Sequence, residues 1–520
     1  MNFFHHLRLV QGTVIVPLSL CAALGLSAQT RNADAASLQR AVTAISQGQL
    51  SEAETALQAI LAVSPRDPDA LNLLGVVRAQ QQRKAEAETL FRRVLTVAPK
   101  HVGAHLNLGE LYFTSGRSQQ ALQVLTAAYK LAPERPDINL RLATLYESTG
   151  AHASALEHLK LIPRSETNDE YFQLLLQVLL NLKQVDEARS LATEYKSRSN
   201  DGDETAQFAM TLAAGGLPDV ALELLLAAQT HNPESFSLLY TLGVINGERQ
   251  NYEEAERYLN EALRAKPTDV PTLRALARIA RARGELEKSL SYLVQARRLA
   301  PQDRSVLYDF GVTSMRMDLY LDALPAFEQI HRTYPSEPRF TYALAAARLR
   351  NGENAAAVSL LRNYVAARPE DAAGFYLLGA ALHALKLDVE AQSILEQSVK
   401  LKDDVDAKYL LGVVQYDLGK RMQAIETLGQ VIRIKPEHAS AHTALGTALR
   451  EEGKFVEARE TLERAVALDA HDLRAHYQLG LVYAKLGDKD ASQRMLTRAE
   501  ELRSEQRKQE TVVLKLVDAP

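Results

Sequence analysis

Residues 376–383 read YLLGAALH and residues 409–416 read YLLGVVQY. How these two stretches are read decides the fold, because the pattern returns as HLNLGELY at 105–112, YTLGVING at 240–247, TALGTALR at 443–450 and YQLGLVYA at 477–484. A frame of 34 residues opening at Asp34 brings them into register. Its eighth place is small at Ala41, Gly75, Gly109, Ala143, Ala209, Gly243, Ala277, Gly311, Ala345, Gly379, Gly412, Gly446 and Gly480, and Leu176 alone breaks the series. Twelve residues further on, alanine or serine recurs, from Ala53 and Ala87 to Ser289 and Ser492. Prolines keep the same spacing in two runs, Pro65, Pro99 and Pro133, then Pro233, Pro267, Pro301, Pro335 and Pro369. A fixed period of this length is the mark of a repeat architecture, in which one supersecondary unit is copied and stacked.

Each frame carries two helical stripes. Leu74, Leu108, Phe310 and Leu479, just before the small place, mark the buried side of a first helix, and Leu57, Phe91, Leu125, Phe327 and Leu462 mark that of a second. Gly116, Gly150, Gly284, Gly352, Gly419 and Gly487 fall where the first helix has to end in a left-handed residue. The recurring proline cannot continue the second helix, so the chain turns there. The small residues sit where paired helices approach to roughly 8–10 Å and a larger side chain would wedge them apart.

This combination of leucine-glycine, alanine and proline spacing resembles the tetratricopeptide repeat. It covers residues 34–506 as fourteen units, of which 136–168, 169–201 and 372–404 are one residue short. The resemblance implies an all-α, right-handed superhelical solenoid of helix-turn-helix repeats, with the first helix of each pair lining a concave inner face. Some features depart from the family pattern. The chain has no tryptophan, and Leu239, Leu273, Leu307, His105, His442 and His476 replace the aromatic often found early in the first helix. Leu176 in the small place, Ala192 where a large apolar residue belongs, and polar turns make residues 163–205 the least regular stretch, either a hinge or a divergent pair of repeats. Residues 29–33 read as a linker. Residues 507–520 read as a tail, whose TVVLKLV alternation suits a strand or a closing cap on the last helix.

The first 28 residues stand apart: one arginine, no acid, and a long apolar run ending in small residues. They read as a secretory signal cut after Ala28, with an uncleaved membrane anchor over residues 9–28 as the alternative. Lipidation at Cys21 fits less well, because bulky Leu20 precedes it. Cys21 is the only cysteine, so the exported chain would have no disulfide and no thiolate chemistry. The expected location is the periplasm or cell envelope.

The 520 residues carry 60 basic and 64 acidic side chains, a net charge of -4 that argues against a surface built for nucleic acid. No phosphate-binding glycine loop, His-Glu-x-x-His or Gly-x-Ser-x-Gly pattern occurs, so no catalytic residue and no cofactor is assigned. The histidine pairs His101 with His105, His438 with His442, and His471 with His476 invite a metal reading. In the frame, though, the second member takes an apolar helical place, so packed histidines are expected and no metal is assigned. Large repeat-bearing glycosyltransferases carry an asparagine series in their groove, of which Asn107 is the only clear match.

What remains is surface for holding partners. The stretch LRALARIARAR, residues 273–283, places Arg274, Arg278 and Arg281 in the fifth, ninth and twelfth places of repeat eight. The family resemblance assigns these places to the inner face. Tyrosine fills the fifth place nearby, at Tyr240, Tyr308, Tyr342, Tyr376 and Tyr409, while Arg316, Arg339 and Arg350 take inner places of the next two repeats, with Asp309 the nearest acid. Arginine beside tyrosine suits an extended ligand with carboxylates and apolar groups. The expected function is a non-catalytic protein–protein interaction scaffold of the cell envelope that binds an acidic peptide or partner protein across repeats seven to eleven. The alternative is an assembly or quality-control subunit of an envelope export or polysaccharide-secretion machine.

Overall fold

The computed structural model describes residues 32–198 and 201–517, with side chains for 36–198 and 201–505. The expected signal or anchor at 1–28 lies outside the described residues. Among those described there are 28 α-helices, one short 3-10 turn at Arg164–Glu166 and no strand. From the second repeat to the fourteenth, every first helix opens on the first residue of the 34-residue frame, from Pro68, Val102 and Pro136 to Ala439 and Leu473. In every one of these repeats except four and ten, where Arg135 and Glu337 make no cap, the side chain before it caps the helix. In repeats two, eight and fourteen, Asp67, Asp269 and Asp472 each accept a hydrogen bond from the backbone N–H three residues on, which satisfies a donor that the helix itself leaves free.

The ends of the array differ from expectation. The first helix begins at Asn32, so residues 32 and 33 are helical rather than linker. At the other end one helix runs from Lys489 to Val517, so residues 507–517 continue the last helix and form neither a strand nor a separate tail. Intrahelical hydrogen bonds are available to that segment, whereas a strand there has no neighbour to pair with. No described helix is long and apolar enough to cross a membrane.

The chain forms two compact units, one to Pro267 and one from Thr268. Inside each, a first helix packs on its partner and first helices pack on one another, and the second helix packs on the next first helix except in repeat five, where Val185–Lys196 lies against Pro218–His231 rather than Gly202–Ala214. The sixteen-residue step between the small place and its partner explains the small residues. A Cβ added to Gly75 would lie 2.5 Å from the Phe91 ring, and one added to Gly311 would lie 2.5 Å from the Phe327 ring. Repeat five keeps the step and reverses the sizes: Leu176, fully buried, stands opposite Ala192, which is 3% exposed. Both belong to a continuous core with Tyr171, Phe172, Tyr195 and Phe208, in which Tyr195 and Phe208 stack at 4.1 Å. Repeat five thus keeps an apolar core of its own, although its two helices meet each other over less surface than those of any other repeat.

Most first helices end in a left-handed glycine, such as Gly116 at φ 72°. Five repeats hold the same turn without one, for instance Lys386 at φ 61°. Packing on both sides imposes the turn there, against a local preference of roughly 1–2 kcal/mol.

Candidate functional site

The arginines of repeat eight lie on the helix Val270–Ala282, capped by Asp269 and carrying Pro271 in its first turn. Leu273, Leu276, Ala277 and Ala280 are buried on one side, and Arg274, Arg278 and Arg281 occupy the other, partly exposed. That side faces the first helix of repeat nine, Arg304–Arg316. The Arg274 Nε and Nη2 donate to Asp309 Oδ2 at 2.9 and 2.8 Å. Arg281 Nη1 donates to Thr313 Oγ1 at 3.3 Å, and its Nη2 lies 3.9 Å from Asp309 Oδ1. The spacing therefore did place three arginines on one face, directed along the row of first helices.

Asp309 is more than a nearby acid. Its side chain is 12% exposed and is the carboxylate around which Arg274 and Arg281 converge. Burial pushes the Arg281 guanidinium below its ordinary value, Asp309 holds it up, and Arg316 and Arg274 press it down. A guanidinium stays charged even so. Arg274, Arg281 and the exposed Arg316 thus bring together more positive charge than Asp309 alone offsets.

Beyond it the fifth-place tyrosines form a half-buried row. Tyr308 packs near Phe340 at 5.8 Å, and the Arg339 guanidinium covers both rings, 5.7 Å from Tyr308 and 4.6 Å from Phe340. Tyr342 meets Tyr364 at 5.4 Å, and Tyr364 donates its hydroxyl to Asp371. Burial raises the hydroxyls of Tyr342, Tyr376 and Tyr409, so all three remain O–H donors near neutral pH. Around Tyr376 the neighbouring charges are Asp406 and Asp404, and around Tyr409 they are Arg474 and Asp472.

The residues singled out in the sequence therefore separate. Arg274, Arg278, Arg281, Tyr308, Arg316, Arg339 and Tyr342 share one basic, aromatic stretch over repeats eight to ten. Arg350 is instead paired with Asp318 of the preceding repeat's turn. Tyr376 is set among acids, and Tyr409 lies 4.9 Å from the His438 ring. Tyr240 belongs to the first compact unit, where it stacks on Phe236 at 5.9 Å. Sequence reasoning missed the hub role of Asp309 and the partner Thr313. A signal existed: Arg274 and Asp309 are 35 residues apart, one repeat plus one, the same offset as the Asn72–Asn107 and Tyr416–Glu451 hydrogen bonds.

Five of the six paired histidines hydrogen-bond to the backbone of their own helix or turn. His101 Nδ1 and His438 Nδ1 accept from the backbone N–H of Ala104 and Ala441 at 2.9 and 3.2 Å, capping their helices. His105, His442 and His476 each direct Nε2 to a carbonyl six residues back, on Pro99, Pro436 and Ala470, at 2.9, 3.0 and 3.1 Å. His471 is exposed. The two members of each pair therefore do not converge on a common point.

Sequence models of the tetratricopeptide repeat match residues 38–102, 207–270, 308–372 and 342–404, 78–128 and 114–179, 272–305, 406–438 and 473–506, and a TPR repeat model matches 446–487. The chain is 24% identical over 251 residues to the BBSome complex member BBS4 of Bos taurus, a match covering 48% of each protein. It thus spans about half the length of that curated relative. Among solved structures it is similar to a chain of the APC/C hetero-tetramer Cut9-Hcn1, at 16% identity and TM-score 0.43 over 86% of this chain and 95% of that one. It is also similar to yeast Tom70, at 15% identity and TM-score 0.35 over 87% and 99%.

Proposed function

This chain belongs to the tetratricopeptide repeat family, and we propose that it is a non-catalytic scaffold that holds an extended acidic peptide segment along the first helices of repeats eight to ten. Tetratricopeptide repeats imply protein partners. The single observation that carries the finer reading is the arginine cluster, with Arg274 and Arg281 converging on Asp309, Arg316 pressing on the largely buried Arg281, and Arg278 on the same side of the helix. A ligand carboxylate would relieve the like-charge repulsion that presses on Arg281, and guanidinium forks suit it geometrically. The Tyr308 and Tyr342 rings then offer rigid contact area, with their hydroxyls as donors.

The test leaves the hub intact. Arg278, Arg316 and Arg339 are changed together to alanine, and the binding of a labelled peptide of alternating glutamate and tyrosine is titrated over a range of salt. Loss of each direct charged hydrogen bond is expected to cost roughly 1.5–3 kcal/mol of binding, with a flatter salt dependence. Unchanged affinity and salt slope in a folded variant would sink the proposal.

The same scaffold is proposed to act outside the cytoplasm, on the strength of the apolar, acid-free residues 1–28. N-terminal sequencing of the protein from fractionated cells should find a start at Gln29 in the envelope fraction. A chain that keeps Met1 and stays in the cytosol overturns the export proposal and leaves the peptide site standing.

A further inference from the structure

Three places of the repeat meet at three junctions between helix pairs: the twelfth and seventeenth of one repeat and the thirteenth of the following one. After repeat four they hold Glu147, His152 and Asn181, where the His152 Nδ1 lies 2.7 Å from Glu147 Oε2 and Asn181 Nδ2 donates to Glu147 Oε1 at 2.5 Å. After repeat twelve they hold Tyr416, Arg421 and Glu451, where the Tyr416 hydroxyl donates to Glu451 at 2.6 Å and Arg421 Nε donates to it at 3.0 Å. Each of these knots contains one carboxylate, and in the second a guanidinium neutralises it.

After repeat eleven the same places hold His383, Asp388 and Asp417. His383 ends the helix Ala372–Ala384, Asp388 opens the helix Asp388–Leu401, and Asp417 closes the helix Val405–Asp417 of the next repeat. His383 Nδ1 lies 2.7 Å from Asp388 Oδ1, and its Nε2 lies 3.9 Å from Asp417 Oδ2. One nitrogen of the ring and one oxygen of each carboxylate lie within 4.8 Å of one another. Here an acid stands where the next knot has Arg421, so two carboxylates meet with no guanidinium between them. The nearest cation is the Lys386 ammonium, 3.9 Å from Asp417 on a side chain 74% exposed, which water screens and which can swing aside.

We propose that this knot is a binding site for a divalent transition-metal ion, zinc by preference. An imidazole with two carboxylates suits zinc or manganese rather than calcium or magnesium, which take oxygen ligands alone. Two negative charges balance the ion. Zinc bonds of roughly 2.0–2.2 Å in a tetrahedron set the ligand atoms about 3.3–3.6 Å apart, so the imidazole–Asp388 contact opens while the wider contacts close, and a fourth position is left for water. On binding, the imidazole ligates through the lone pair of one nitrogen and keeps its single proton on the other, so its hydrogen bond to a carboxylate is replaced by the bond to the ion, and Lys386 withdraws. The ion would clamp repeat eleven to repeat twelve as Arg421 and Glu451 clamp the junction beyond.

Zinc chloride titrated calorimetrically into the full chain tests this, with Asp388→Arg and Asp417→Asn as variants and His231→Ala as a control at an exposed histidine. Asp388→Arg supplies the built-in cation of the next junction and is expected to fold. The expected result is one zinc per wild-type chain lost in Asp388→Arg and weakened at least tenfold in Asp417→Asn, with the control unchanged and helicity preserved in all three. Wild type and both variants taking up zinc alike, or wild type taking up none, overturns the proposal. If either variant unfolds, the other decides.

Discussion

Replacing Leu176 by alanine is expected to weaken repeat five by about 2–5 kcal/mol, the range for a buried leucine cut back to its Cβ. Leu176 is fully buried, and Ala192 opposite it is too short to fill the space. In the neighbouring repeats the same sixteen-residue step pairs Ala143 with Leu159 and Ala209 with Leu225, all four fully buried. The double change Leu176→Ala with Ala192→Leu therefore restores the arrangement found on either side and should recover most of the loss. Stacked repeats open locally rather than all at once, so amide hydrogen exchange over Asp169–Lys196 is the measurement that resolves it. A double variant no better protected than Leu176→Ala alone would mean that the two residues do not share one space.

Asp309→Ala should be the most damaging single change in the arginine cluster, at about 2–3 kcal/mol. Removing one member of a fully buried ion pair costs roughly 3–5 kcal/mol, because the other charge is left without compensation. The smaller figure reflects water reaching Arg274, whose side chain is 31% exposed, while Arg281 at 18% has less relief. Exchange should rise in Val270–Ala282 and Arg304–Arg316. Binding of the acidic peptide should move the opposite way, since the freed guanidinium groups gain by meeting a ligand carboxylate. Asp309→Asn, which keeps an acceptor without the charge, should fall between wild type and alanine in both measurements. If stability and peptide affinity fall together, Asp309 contributes to the binding surface directly and the cluster is not an anion site.

The helices were legible because each repeat solves the same packing problem with the same residues. Thirteen first helices open where the frame opens, since an N-cap, a small residue and an apolar stripe act within a few residues of one another. Leu176 and Ala192 were visible as exceptions. That they compensate each other required knowing that residues sixteen apart face across a helix pair. His442 and His476 are buried in the apolar places that the frame gives them.

The sequence by itself therefore determined the repeat, its helix pairs, and the face on which Arg274, Arg278 and Arg281 stand, because all of these follow from periodicities inside 34 residues. Only the tertiary structure decided which charges remain available. It tied Arg274 to Asp309 and Arg350 to Asp318, set acids beside Tyr376, placed Tyr240 in the other compact unit, and brought His383, Asp388 and Asp417 into one knot. The physical reason is reach. Helix position is set by local backbone hydrogen bonds and an apolar stripe, whereas the partner of a long charged side chain depends on how one repeat lies against the next, over distances of a few ångströms that no spacing within a repeat encodes.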